Sequence, residues 1–318
     1  MTDPAGRTPA LSEPLVLAND CARVEVLPAV GGMIHRFVER RTGRDLLFHH
    51  PRLAPKRAPY RAPVDDWWCG GMIEGFPTGF ECVVDGDTLP DFGEVWSEPW
   101  DVEHASPTQA TLGCSTRIST FRLTRSMSLV TGRAALRMTY RIENVGSAPA
   151  TFIWGLHPTV PVGSDTVLQT SAQVERLVDL GAPASTVAEP QPAAFGHRPA
   201  AFDDVADTGQ RLSYCTDTPD LAWFAVWDRI WNAGLCMSFD GRDFPCMWLW
   251  LLNGWRGLRA VTVEPWTAWP GSLCEAMRLG RARTLRPGAV HEAALVMAAV
   301  GPAGGRIESI DDGVPTWA

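Results

Sequence analysis

Apolar and polar residues alternate along most of this chain with a period of two. In "RLTRSMSLVTGRAALRMTYRIENV" the alternation runs on both sides of "TGR", and Leu136, Met138, Tyr140 and Ile142 fall on one face. Successive side chains of a strand point to opposite sides of its sheet, so this stretch predicts a half-buried antiparallel hairpin. "ARVEVLP", "MIHRFVER", "ATLGCSTRISTFRL", "APATFIWGL", "LAWFAVW", "AGLCMSF", "CMWLWLL" and "LRAVTVEPW" predict further short strands, punctuated by Gly, Pro and Asp. No long amphipathic helix with caps stands out. The expected fold is therefore all-β, a large antiparallel β-sandwich of two sheets.

Residues 1 to 12 read as a frayed tail and residues 13 to 318 as a single domain, because β-sandwiches often exceed the usual domain size. The Ala- and Pro-rich stretch from about 181 to 210 has no clear period. It reads as a long surface excursion, either a lid or an insertion.

Composition narrows the class. Hydrophobic residues make up 45% and charged residues 20%, enough for a substantial core and unlike a disordered chain. The net charge of -8 argues against a nucleic-acid partner. No N-terminal signal-like apolar segment is present, and "FPCMWLWLLNGW" falls short of a bilayer span, so no membrane association is expected and the location is read as cytoplasmic. The eight cysteines are scattered without a CxxC pair, which fits reduced thiols. His49 and His50 are adjacent and would point to opposite faces of a strand, so they make a poor metal site.

Three constellations combine polar groups with tryptophans and turn residues: "VDDWWCGGMIEGFPTG", "WGLHPTVPV" with His157, and "VTVEPWTAWPGS" with Glu264 between a β-branched run and Pro265. A histidine or glutamate of this kind is commonly structural, and many of the 14 tryptophans must fill the core. The shared form nevertheless suits a carbohydrate. Aromatic faces stack on the C–H faces of sugar rings, while carboxylates and imidazoles bind hydroxyls.

The order "GG...E.FPT", "LPDFGEVWSEPW", "WGLHPTV", "VTVEPWTAWPGSL" and "RARTLRPGAVHEAALVM" resembles the aldose 1-epimerase (galactose mutarotase) superfamily over most of the chain. The resemblance implies a galactose mutarotase-like β-sandwich that interconverts sugar anomers by acid/base ring opening, with Glu264 as base and His157 as acid, a reaction that needs no metal or organic cofactor. Trp68, Glu74, Trp96 and Trp266 are expected in the pocket wall, with Phe92 there as an apolar replacement that reshapes specificity, and with Trp266 and Trp269 raising the basicity of Glu264. Opposite charges on Glu264 and His157 would favour each other. Phe92 stands where the family's "LPD-x-G-E" pattern usually carries histidine, and it offers neither donor nor acceptor. Asp91 and Glu94 are read as hydroxyl ligands or water-facing groups, and Asp240 and Asp243 as distal ligands or turn residues. The alternative is a non-catalytic carbohydrate-binding or regulatory protein on the same fold, and a third class is a lyase acting on a modified glycoside. The expected partner is a small-molecule carbohydrate, and the expected state is monomer or homodimer.

Overall fold

In the computed structural model, residues 13–180, 187–192, 209–300, 307–311 and 314–317 are described. The expectation for residues 1 to 12 and most of that for 181 to 210 lie outside them. Two large antiparallel sheets organise the chain. The first has eleven strands, running in space from Leu15–Ala18 through Ala22–Leu27, Met33–Glu39, Met72–Gly75, Gly155–Pro161, Arg259–Trp266, Cys246–Asn253, Gly209–Thr216 and Val174–Leu177 to Gln191–Pro192, with Arg44–Asp45 beside Met33–Glu39. The second has eight: Thr166–Thr170, Leu221–Asp228, Ala233–Asp240, Val290–Val300, Ala135–Asn144, Phe121–Leu129, Gln109–Ser115 and Asp101–Ala105. This is the expected all-β sandwich.

Strand parity builds the core. The hairpin around "TGR" pairs Phe121–Leu129 with Ala135–Asn144, and Leu136, Met138, Tyr140 and Ile142 are all fully buried. They meet Met72, Leu156, Met247, Leu249, Val261 and Val263 of the larger sheet in one inter-sheet cluster. The alternate residues of those same larger-sheet strands, among them Ile73, Trp248, Ala260 and Trp266, point the other way. They form a second apolar cluster that Trp68, Phe92 and Trp96 cover from loops. The central strands are thus buried on both faces, and this is why they read as dense apolar runs in sequence.

Some strand boundaries differ from the sequence reading, and "ATLGCSTRISTFRL" divides between Gln109–Ser115 and Phe121–Leu129. "APATFIWGL" divides into Ala150–Phe152, which pairs with Arg283–Leu285, and Gly155–Pro161 in the large sheet. His157 consequently sits within a strand. That strand pairs continuously with Met72–Gly75 from Gly155 to Pro158, whereas its register with Arg259–Trp266 omits residues 156 to 158. Pro158 has no N–H to give to a ladder, and the interruption falls around it. The α-helices among the described residues, Val64–Trp67 and Leu273–Arg278, are short.

Candidate active site

The outer face of the large sheet carries a cavity of about 250 Å³. His157 rises from Gly155–Pro161 and Glu264 from the adjacent Arg259–Trp266, and both side chains reach that cavity. His157 Nε2 lies 3.7 Å from Glu264 Oε1. The imidazole's Nδ1 is 3.4 Å from Thr159 Oγ1, which is in turn 3.0 Å from Thr262 Oγ1, so Nε2 is the nitrogen presented to the carboxylate. Glu264 Oε2 accepts a hydrogen bond from the Trp266 indole at 2.9 Å. The chain thus brings together two titratable groups 107 positions apart in sequence.

Burial governs their protonation. Desolvation pushes the His157 pKa down to about 3 and that of Glu264 up to about 8, the latter partly opposed by the Trp266 hydrogen bond. This corrects the expectation of mutually stabilised charges, because loss of water disfavours the charged form of each. Across neutral pH the pair therefore holds one proton. At these values carboxylic acid with neutral imidazole is the favoured form; carboxylate with imidazolium carries the same proton count and is the form in which Glu264 accepts and His157 donates.

Phe92 lines the cavity and holds a left-handed conformation (φ 58°), followed by Gly93 at φ 76°. Its ring meets His157 edge-on at 5.2 Å and Trp266 edge-on at 5.8 Å. The turn is fixed by backbone bonds from Phe92 N to Gly79 O, Gly93 N to Pro90 O and Glu94 N to Phe76 O. A Cβ on Gly93 would lie 2.0 Å from Phe76 O, so glycine is required there. The stretch "LPDFGEVWSEPW" is therefore a wall, with Asp91 and Phe92 in the lining.

Other expected site residues lie elsewhere. Glu74 shares a strand face with Met72 and points between the sheets, away from the cavity. There it meets the Arg125 guanidinium and accepts from the Tyr140 hydroxyl at 2.9 Å, with both charged side chains fully buried. The parity of Met72–Gly75 puts Ile73 and not Glu74 on the cavity side. Trp96 is buried beside the cavity wall, its indole donating to Asp91 O. Glu94 neither binds an open hydroxyl site nor faces water. Its carboxylate accepts from the backbone N–H groups of Arg117, Ile118 and Ser119 and from the hydroxyls of Tyr60 and Ser119. Trp68 stands behind His157, edge-on at 5.5 Å. Asp240 pairs with Arg242 at a turn outside the cavity lining.

Trp248, Trp250, Phe80, Gln210 and Asp65 complete much of the lining and were not singled out from sequence. The signal was present in "CMWLWLL". Trp248 and Trp250 alternate with Leu249 and Leu251, and the tryptophans take the cavity side. Trp250 donates its indole N–H to Gln210 Oε1 at 2.9 Å. Asp65 and Asp91 both have pKa values raised first by burial, and for Asp65 next by Asp91. The described lining contains no lysine or arginine.

A two-sheet antiparallel sandwich carries an aromatic cavity and a buried histidine–glutamate pair on one face of its larger sheet. Among solved structures the chain is similar to Slr1438 from Synechocystis sp. PCC 6803, at 18% identity and TM-score 0.70, covering 93% of this chain and 98% of that one. It is also similar to a galactose mutarotase related enzyme from Lactobacillus acidophilus, at 14% identity and TM-score 0.70, with coverage of 92% and 99%. A galactose mutarotase-like protein from Lactobacillus casei aligns at 16% identity and TM-score 0.66, covering 90% and 100%. The chain has the galactose mutarotase-like fold. No family model and no curated protein matches it.

Proposed function

We propose that the protein is an isomerase of the aldose 1-epimerase type, acting on a free sugar or sugar-like hemiacetal. The observation that carries this reading is the 3.7 Å approach of His157 Nε2 to Glu264 Oε1 at an aromatic-lined cavity. In the carboxylate–imidazolium form of the pair, the Glu264 carboxylate takes the proton from the anomeric hydroxyl. The C1–ring oxygen bond breaks with its electron pair going to the ring oxygen, which receives a proton from His157. Rotation about C1–C2 and reversal of these steps close the ring on its other face. Each proton transfer by a placed group contributes about 10²–10⁴-fold. Trp248 and Trp250 offer apolar faces for the ring, and Gln210 and Asp91 offer polar atoms for hydroxyls.

Asp65 and Asp91 in the lining, where none of the described lining residues is a lysine or arginine, favour an unphosphorylated substrate. Polarimetry and NMR exchange measurements on a panel of free aldoses test the reaction. The expected result is acceleration of anomer exchange that Glu264→Gln lowers by about 10²–10⁴-fold. Absence of acceleration for every sugar, with folded protein, contradicts it.

Phe92 favours one second reading. An apolar ring against His157, where a hydrogen-bonding side chain would help hold the sugar, suits a carbohydrate-binding protein without turnover. A binder would retain sugar affinity as wild type and as Glu264→Gln and accelerate exchange in neither.

A further inference from the structure

The Trp266 indole is held with unusual completeness for a residue whose ring does not line the cavity. It stacks on Trp248 with centroids 3.8 Å apart and planes 8° from parallel. Phe92 meets it edge-on. Beneath it lie two glycines on neighbouring strands: Trp266 pairs with Gly155, and Gly155 pairs with Gly75. A Cβ at Gly155 would stand 2.1 Å from the ring, and one at Gly75 would stand 2.5 Å from it. Real Cβ atoms do not approach that closely, so the indole lies over a floor that only glycine leaves open.

The clamped ring directs its N–H at Glu264 Oε2, 2.9 Å away. Residues 264 and 266 share a strand face, so the donor reaches the carboxylate without backbone distortion. The two carboxylate oxygens thereby become unlike: Oε2 is occupied, and Oε1 is the one left toward His157.

We infer that Trp266 is a positioning residue, clamped by Trp248, Phe92 and the Gly75–Gly155 floor so that its indole N–H holds Glu264 with Oε1 turned to the substrate. This rests on the reading of Glu264 as the base. It replaces the expectation that Trp266 forms part of the pocket wall and raises the basicity of Glu264: the ring is outside the lining, and its hydrogen bond lowers the Glu264 pKa. The indole acts through Glu264 and not by touching the sugar. It also stabilises the ionised carboxylate, because a donor to a charged oxygen favours the charged form.

The test replaces Trp266 with β-(3-benzothienyl)alanine, which keeps the bicyclic shape and substitutes sulfur for N–H, and separately with phenylalanine. Glu264 is followed by ¹³C-carboxyl NMR titration, and anomer exchange by saturation transfer. In the benzothienyl variant the Glu264 midpoint should move up by about one pH unit or more, since a hydrogen bond to a charged group is lost. The kcat should fall roughly tenfold on the same grounds with KM little changed. Trp266→Phe should show the same direction. Gly155→Ala, which displaces the ring without removing the donor, should lower kcat as well. A benzothienyl variant with an unmoved Glu264 midpoint overturns the inference, as does one with an equal loss in sugar affinity and no change in kcat. If wild type exchanges no sugar, the epimerase reading fails, while the carboxyl titration still decides the role of Trp266.

Discussion

Phe92 is the residue at which chemistry and backbone diverge. Its φ of 58° lies in the left-handed region, where histidine is enriched among non-glycine residues and a bulky aromatic is not. Phe92→His should therefore fit the turn and add a donor beside His157. If the proposed reaction is correct, it should raise the anomerisation rate by roughly tenfold, the worth of one buried hydrogen bond felt in the transition state. An unchanged or lower rate in a folded variant would count against a missing donor at this position. The shared proton gives a second expectation. With pKa values of about 3 and about 8 for His157 and Glu264, kcat/KM should be level near neutrality. It should fall above about pH 8, where the pair loses its only proton, and again toward pH 3, where both groups are protonated. A profile that keeps rising through pH 9 would contradict the one-proton pair. His157 and Glu264 were legible because each stands beside a proline among tryptophans. Glu94 was not, since the loop that satisfies its carboxylate lies more than twenty positions further on.

At the scale of the strand, parity decides which residues serve the cavity and which hold the sheets together. In Met72–Gly75 all four residues are buried, so sequence alone offers no polar side to orient the alternation. Glu74 therefore looked like a site residue beside two glycines, whereas it faces Arg125 and Tyr140 of the opposite sheet. Among the described residues Glu74 Oε2 and Arg125 Nε have no hydrogen-bond partner, so the pair is incompletely satisfied there. Glu74→Leu alone should cost about 3–5 kcal/mol in urea unfolding, because it leaves Arg125 charged and buried. Glu74→Leu combined with Arg125→Met should recover most of that loss. Equal losses in the single and double variants would contradict this account. The same parity explains the tryptophans of Cys246–Asn253. Sequence predicted a strand there, but only the neighbouring Arg259–Trp266 identifies the tryptophan side as the side of Glu264.

For the whole molecule, the two-sheet sandwich and its central hairpin were readable, because period-two patterning survives wherever one face is less apolar than the other. The architecture of the site was less so. It depends on a sheet covered on both faces, one by the second sheet and one by the loops that carry Trp68, Phe92 and Trp96. Among the described residues no helix is long and apolar enough to cross a membrane. The cavity's electrostatics give a molecular expectation: a free aldose that is turned over should raise the melting temperature by mass action, whereas its 6-phosphate should do so less at equal concentration. Equal stabilisation by both would contradict the reading of the acidic lining. The most direct test of the central claim is saturation transfer between the α and β anomeric proton signals of a free aldose, with wild type and Glu264→Gln compared at equal concentration. Transfer that grows with wild-type protein and drops by at least a hundredfold, the lower end of about 10²–10⁴, in Glu264→Gln is the predicted result. Equal transfer in the two proteins, or none above the uncatalysed rate for any aldose, would contradict it.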